Sequence, residues 1–184
     1  MMNCGDQFFH ELQVLCRPGV VERFLPEFPE VCTKVRDTFA GLWGLEGNNK
    51  ETRDIIADAV TNPHLYVLKQ QLEGGAGNYY GSEIAEKLEI MDEEEKAAHI
   101  LMERIYPESI KNYVIRPSEP VKLINVISEL GIYGYLYGSG SFSTKDTIVL
   151  KNYNHGHILR SKGENVDKGG VAIGAAVIDS PFLI

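Results

Sequence analysis

The pattern of apolar and polar positions divides the chain into a mainly helical first third and a strand-rich remainder. Apolar residues recur at helical spacing in two series, from Leu25 to Leu42 and from Ile55 to Val60. The second series ends at Asn62-Pro63, and proline disfavours the helical conformation of the residue before it. We therefore expect a helical segment over residues 1–62.

Short runs rich in β-branched and aromatic residues follow residue 62 and predict strands. The first is LYVLK at residues 65–69, and the later ones are AHILMERI, NYVIR, VKLINVI, GIYGYLY, DTIVLKN and HGHILRSK. Several of these runs are too close together for helical crossovers, which favours antiparallel pairing.

Two helices are predicted between these strands. One begins at Ser82, where the hydroxyl is placed to cap it, and the other spans Asp92 to Ala98, where the acidic run suits the positive end of a helix dipole. The predicted fold class is α+β: an antiparallel sheet with packed helices, preceded by a helical segment.

Composition and charge narrow the function classes. The 184 residues are 43% hydrophobic, which is typical of a soluble globular domain. A formal net charge of -8 argues against nucleic-acid or anionic-membrane binding. No apolar run reaches the roughly 18 residues of a membrane span, and the first residues lack a signal-peptide pattern. We expect a cytoplasmic location, with Cys4, Cys16 and Cys32 as free thiols.

The glycine-rich segment KQQLEGGAGNYYG, residues 69–81, carries one candidate site. Its glycines expose backbone N–H groups to a polyphosphate, Lys69 supplies a charge to phosphate oxygens, and the carboxylate of Glu73 suits Mg²⁺. The segment matches neither GxxxxGK[ST] nor GxGxxG. From this pattern alone, a surface turn with a solvated lysine and glutamate remains open.

A second candidate site lies in HGHILRSKGENVDKGGVA, residues 155–172. Period-two alternation places Arg160 and Lys162 on one strand face, where the first suits a carboxylate and the second a phosphate. A basic edge strand is the open alternative. His155 and His157 also share a face, but no cysteine or third histidine is near enough in sequence to complete a zinc site.

Taken in order, these segments resemble the eukaryotic glutathione synthetase family of ATP-grasp ligases along nearly the whole chain. The matching blocks are RPGVVERFLPEFPE, TFAGLWGL, YVLKQQLEGGAGNYYGSE, ILMERI, ISELGIYG, GHILRSK and GGVAIGAAVIDSP. The resemblance implies an ATP-grasp portion over residues 63–184, with a glycine-rich loop at 69–81 and an alanine-rich loop at 162–178.

The resemblance also implies a reaction: γ-glutamylcysteine is activated by ATP and Mg²⁺ as an acyl phosphate, which the amine of glycine attacks. It implies catalytic roles for Arg160 and Lys162, substrate binding by Arg160, Val171 and Ala172, and a metal ligand in Glu73. The implied ATP contacts are Lys69, Gly74, Gly75, Asn78, Tyr80, Met102, Glu103, Arg104, Ile105, Glu129, Lys162 and Lys168.

The sequence departs from the family pattern at several points. The loop reads GGAGN where the family usually has GGGNN, and Lys168 stands where an acidic or amide side chain is commoner. The family's amino-terminal region holds further Mg²⁺ ligands, most of the dipeptide site and most of the homodimer interface, and it has no counterpart here. We expect this portion alone not to complete catalysis. The alternative is a truncated, non-catalytic paralogue that binds nucleotide weakly or pairs with a full-length subunit.

Overall fold

The chain divides into two compact units in a computed structural model that describes residues 8–70, 77–140, 147–167, 171 and 174–181. The first unit ends at Tyr106 and the second begins at Pro107. No helix in the described part of the chain is both long and apolar enough to cross a membrane.

Besides a short 3₁₀ helix at Pro63–Leu65, the first unit contains six α-helices among its described residues. They are α1 (Phe8–Cys16), α2 (Val20–Phe24), α3 (Pro29–Arg36), α4 (Lys50–Thr61), α5 (Ser82–Ile90) and α6 (Glu93–Ala97). The side chain of Asn49 caps α4 by accepting a hydrogen bond from the Thr52 amide (2.9 Å). As the sequence predicts, α4 ends just before Asn62-Pro63.

The two predicted helices after residue 80 are both present. A side chain caps the second of them, α6, but not the first, α5. Asp92 caps α6 by accepting from the amide of Glu95 (2.8 Å). The prediction that the Ser82 hydroxyl caps α5 is wrong. Ser82 is the first helical residue, and the capping position is Gly81, whose φ of 56° is one that glycine adopts without strain.

A four-stranded antiparallel sheet completes the first unit, in the order β1-β4-β2-β3. Its strands are β1 (Leu42–Gly44), β2 (Tyr66–Gln70), β3 (Asn78–Tyr80) and β4 (His99–Glu103). The helical spacing that begins at Leu25 does not extend to Leu42, because pairing of Trp43 with Leu101 on the central strand β4 places this stretch in the sheet. Local periodicity is overridden here by tertiary pairing.

One face of this sheet forms the core of the unit. Helices α4 and α5 cover it, with Leu68 and Leu101 from the sheet and Ile84 from α5 fully buried. The Tyr66 hydroxyl donates a hydrogen bond to the carboxylate of Asp58 on α4, which ties helix to strand. This leaves the opposite face of the same sheet for other contacts.

The second unit is a four-stranded antiparallel sheet in the order β5-β6-β7-β8. Its strands are β5 (Ser109–Val114), β6 (Lys122–Gly140), β7 (Thr147–Gly163) and β8 (Ala176–Asp179). The last four runs that predict strands pair up into the two long strands β6 and β7. The prediction of an α+β fold with antiparallel sheets is confirmed, whereas the division after residue 62 stays a prediction.

Candidate functional site

Four of the residues singled out by sequence lie on one face of the first sheet, the face opposite the helices. Lys69 pairs with Asn78, and Val67 pairs with Tyr80 on one side and Met102 on the other. Because side chains alternate along a strand, these partners share a face that Leu68 and Leu101 do not. We call Lys69, Asn78, Tyr80 and Met102 the site face.

Two apolar residues lie among the site-face residues on the same side of the sheet. Val67 and Ile100 belong to the same face by alternation, and both are buried. Lys69 and Asn78 lie at the end of the sheet where β2 and β3 meet the glycine-rich segment. The four site-face residues are therefore partly exposed side chains on top of two buried apolar ones.

The main chain from Glu103 to Ile105 follows directly from this face. The Glu103 amide donates to the carbonyl of Gly41 (2.8 Å), its carboxylate accepts from the Gly41 amide (2.9 Å), and the Arg104 amide donates to Leu65 (2.8 Å). In the described part of the chain, the main-chain groups of Ile105 have no hydrogen-bond partner. Among the described residues, the main chain of Ile105 is therefore a candidate contact for a ligand.

The side chain of Arg104 lies against two aromatic rings, a contact that the sequence reasoning missed. Its guanidinium carbon is 5.6 Å from the centroid of the Tyr80 ring and 5.3 Å from that of Tyr106. Such cation–π contacts hold rings in place at roughly 0.5–1 kcal/mol each when exposed. Tyr106 directly follows the segment that the sequence singles out, but nothing in its spacing indicates this role.

In the second unit, three further predicted residues share a face. Glu129 pairs with Arg160 across β6 and β7, and Lys162 lies two residues further along β7. The guanidinium of Arg160 donates a hydrogen bond to the carboxylate of Glu129, and the Lys162 ammonium donates to the carbonyl of Asp167 (3.0 Å). The alternation predicted for Arg160 and Lys162 is confirmed.

The Arg160–Glu129 ion pair is solvent-accessible, with side chains 40% and 67% exposed. Exposed pairs of this kind contribute about 0–1 kcal/mol, because water competes with each partner. Arg160 can therefore exchange Glu129 for an incoming carboxylate at small cost.

Of the remaining predicted residues, only Val171 lies in the described part of the chain. Val171 is exposed, and its carbonyl accepts from the Gly174 amide (3.0 Å). The predictions for Glu73, Gly74, Gly75, Lys168 and Ala172 lie outside the described residues. Within the residues that the structure describes, no three histidine, cysteine or acidic side chains are grouped as a metal site.

A cleft of about 590 Å³ lies elsewhere in the first unit, beside the edge strand β1. It is lined by parts of α1, β1 and α4, including Gln13, Arg17, Trp43 and Thr52. None of the site-face residues lines it. Burial raises the pKa of the Cys16 thiol at its wall, which disfavours the reactive thiolate.

Comparison with known proteins identifies the family. Residues 12–183 match the model described as eukaryotic glutathione synthase, ATP binding domain. The chain is 44% identical to glutathione synthetase of Bos taurus and 42% identical to that of Homo sapiens, each over 173 residues. It is 39% identical to the chloroplastic glutathione synthetase of Arabidopsis thaliana over 175 residues.

These matches cover 94% of this chain but only 35% of the two mammalian relatives and 30% of the plant one. Among solved structures, a glutathione synthetase-like effector from Globodera pallida in its apo form matches with a TM-score of 0.64 and 28% identity. That match covers 94% of this chain and 33% of the effector. The chain thus spans about a third of the length of its relatives, and it belongs to the eukaryotic glutathione synthase family through its ATP-binding domain.

Proposed function

We propose that this chain supplies the nucleotide-binding part of a glutathione synthetase, which joins γ-glutamylcysteine to glycine with ATP and Mg²⁺ through an acyl phosphate. The observation that carries the proposal is the site face. Lys69, Asn78, Tyr80 and Met102 are separated by up to 33 positions in the sequence, yet strand register places them together.

The site face suits ATP from one end to the other. We propose that Met102, which is partly exposed, provides apolar surface for the purine and that the main chain of Ile105 offers it a hydrogen bond. At the other end, Lys69 places a positive charge where the chain enters the glycine-rich segment. We propose that Tyr80, held by Arg104, contacts the nucleotide, and that Glu103 acts indirectly by fixing this segment to Gly41.

The second unit would bind the reacting groups. We propose that Arg160 binds a carboxylate of the dipeptide, which displaces Glu129, and that Lys162 neutralises phosphate charge. Glu129, once released from Arg160, is the proposed further contact to ATP. Val171 and Ala172 are proposed substrate contacts of the alanine-rich loop, and Lys168 adds a charge beside the nucleotide.

We propose that the carboxylate of Glu73 holds Mg²⁺ beside the phosphates of ATP. Glu73 follows Lys69 by four positions, and one carboxylate with phosphate oxygens and water is a ligand set that Mg²⁺ accepts. When bound, the ion supplies neutralisation of phosphate charge. The chain's own contribution is to orient the polyphosphate with Lys69 and Gly74-Gly75 and to bind the dipeptide with Arg160.

No side-chain nucleophile is needed for this chemistry. Phosphoryl transfer depends mainly on positioning and on neutralising developing charge, which lysines and backbone N–H groups provide. The acyl phosphate must also be shielded from water. The residues proposed for the site, mainly cations and glycines, suit the positioning and neutralising role.

A second candidate function is a non-catalytic nucleotide-binding module, as the sequence analysis anticipates. It is favoured by Lys168 at a position that is usually acidic or amide. The cytoplasmic location and the homodimer are further parts of the proposal. A chloroplastic relative among the matches shows that location varies in the family.

The test is a thermal melt of the purified chain with and without Mg-ATP. A ligand that binds only the folded state raises the midpoint, and a ligand at 100 times its Kd adds about 2.7 kcal/mol of stability. We expect a rise in wild type that is lost in Lys69→Ala. The matched control is Lys34→Ala, an exposed lysine on α3. An equal rise in all three proteins would contradict the assignment of Lys69, and no rise in any would contradict nucleotide binding.

A further inference from the structure

A hydrogen-bonded network centred on Asp179 joins all four strands of the second unit. One carboxylate oxygen of Asp179 accepts from the side-chain amide of Asn112 on β5 (3.1 Å) and from the hydroxyl of Ser161 on β7 (2.9 Å). Its other oxygen accepts from the amide of Ser180 (2.8 Å). The Ser161 hydroxyl also contacts that of Ser128 on β6 (2.8 Å).

The direction of each hydrogen bond in this network follows from the number of protons available. Ser161 has one hydroxyl proton, which it donates to Asp179, so Ser128 must donate in the contact between the two hydroxyls. Ser161 is only 1% exposed, so water cannot substitute for a lost partner. Loss of the carboxylate would leave buried donors without an acceptor, which costs more than an exposed bond is worth.

The network also shows that the sheet is curled. Strands β5 and β8 are at opposite ends of the four-strand order, where a flat sheet would separate them by about 14 Å at its usual strand spacing. The bond from Asn112 to Asp179 nevertheless joins them directly. A second bond joins the flanking segments, from the guanidinium of Arg116, two residues after β5, to the carbonyl of Ala175, just before β8 (3.1 Å).

The predicted cations lie on the other face of the same strands. Ser161 is between Arg160 and Lys162 on β7, and alternation directs it to the opposite side. Strand β8 pairs with this stretch, Ile178 with Arg160 and Ala176 with Lys162. The lateral position of both cations is therefore set by how firmly β7 is held between β6 and β8.

We infer that Asp179 is a positioning residue, which holds β8 on β7 from behind and thereby fixes Arg160, Lys162 and the end of the alanine-rich segment in place. This inference rests on the proposed function, in which those two cations meet phosphate and carboxylate groups. Asp179 itself touches no ligand in this account.

The experiment compares Mg-ATP affinity with stability in variants of the purified chain. Asp179→Ala removes the acceptor, and Val126→Ala is the matched control. Val126 is fully buried in the same sheet and is not hydrogen-bonded into the network. Calorimetric titration with Mg-ATP is performed at a temperature where every variant is folded. We expect the Kd for Mg-ATP to rise about tenfold in Asp179→Ala. Val126→Ala is expected to stay within about twofold of wild type, despite its lower melting midpoint.

A conservative variant separates positioning from simple destabilisation. Asp179→Asn keeps one oxygen for Asn112 and Ser161 but sets an NH₂ group against the Ser180 amide, so intermediate affinity is expected. If Asp179→Ala does not fold, Asn112→Ala removes one of the bonds to the same oxygen and takes its place in the comparison. Affinity that follows the melting midpoint across all variants, regardless of the network, would overturn the inference.

A readout without nucleotide keeps this inference distinct from the proposed function. If wild type does not bind Mg-ATP, the proposed function fails, and hydrogen exchange over residues 176–179 then tests the anchoring alone. Faster exchange there in Asp179→Ala than in Val126→Ala supports the inference, and equal exchange overturns it.

Discussion

The two units build antiparallel sheets of four strands by different means. In the first unit, helices α4 and α5 bury one sheet face in a continuous apolar core that includes Leu68, Ile84 and Leu101. In the second, the described residues that are buried are only Val126, Ser161 and Ala176. The first sheet is held by apolar burial, and the second depends more on backbone pairing and the Asp179 network.

This difference has a consequence for the candidate site. In the first unit the helix-covered core supports the sheet from one side, and the partly exposed Lys69 and Asn78 lie on the other. The second unit carries Arg160 and Lys162 on a sheet with little apolar support. We expect the free energy of unfolding to fall most when a buried apolar side chain is truncated in the first unit. In the second unit we expect it to fall most when a hydrogen-bonding side chain of the Asp179 network is removed.

The largest effect is expected from truncating the first core. Leu68 on β2 is fully buried in the core that the helices cover. Leu68→Ala should therefore cost about 2–5 kcal/mol in the free energy of unfolding. Leu136→Ala in the second unit, where the side chain is 68% exposed, should stay within about 0.5 kcal/mol. Urea unfolding of both variants measures this contrast. Similar losses in the two would remove the distinction between the units.

A smaller effect is expected from breaking the polar network of the second unit. Ser161→Ala leaves the hydroxyl of Ser128 and the carboxylate of Asp179 without a shared partner, and should cost about 1–3 kcal/mol. Ser139→Ala, on the distal part of β6 where the residue is exposed, is the control. Urea unfolding applies again, and a loss at Ser161 no greater than at Ser139 would show that the network contributes nothing.

At high pH the tie between α4 and β2 should weaken. Burial and the hydrogen bond to Asp58 raise the pKa of Tyr66 to about 12. Because the pKa is higher in the folded state, the contribution is complete below about pH 10, the ordinary value, and is lost as the pH rises towards 12. Melting midpoints of wild type should fall over this range more steeply than those of Tyr66→Phe. Parallel curves would contradict the assignment.

The smallest effect is expected at the exposed pair between α2 and α3. Hydrogen bonds from Arg36 lower the pKa of Glu22 to about 2. A lowered folded-state pKa stabilises above the ordinary value of 4.5, and this contribution is lost as the pH falls towards 2. Glu22→Gln should flatten this part of the curve of melting midpoint against pH. A variant curve as steep as that of wild type would assign the acid sensitivity to other carboxylates.

Much of the fold can be predicted from local patterns, and the exceptions have physical causes. Short apolar runs predict β2 and β4, and Asn62-Pro63 predicts the end of α4, because both signals are local. Leu42 was misassigned because its strand pairing depends on β4, about 60 residues away. The joining of separate runs into the long strands β6 and β7 likewise depends on their pairing with each other.

The candidate site divides in the same way. Period-two alternation was sufficient to place Arg160 and Lys162 together, since both lie on one strand. The contact of Arg104 with Tyr80 and the bond from Asn112 to Asp179 join distant segments, so spacing gives no indication of them. The roles proposed for Lys168 and Ala172 come from the family resemblance, and that of Glu73 from the resemblance together with its spacing from Lys69.

The most direct test of nucleotide binding at the site face is hydrogen exchange of the purified chain with and without Mg-ATP, read by mass spectrometry. We expect Mg-ATP to slow exchange in peptides covering β2, β3 and residues 102–106. Protection confined to α1 and β1, around the 590 Å³ cleft, would place the nucleotide in that cleft and contradict binding at the site face.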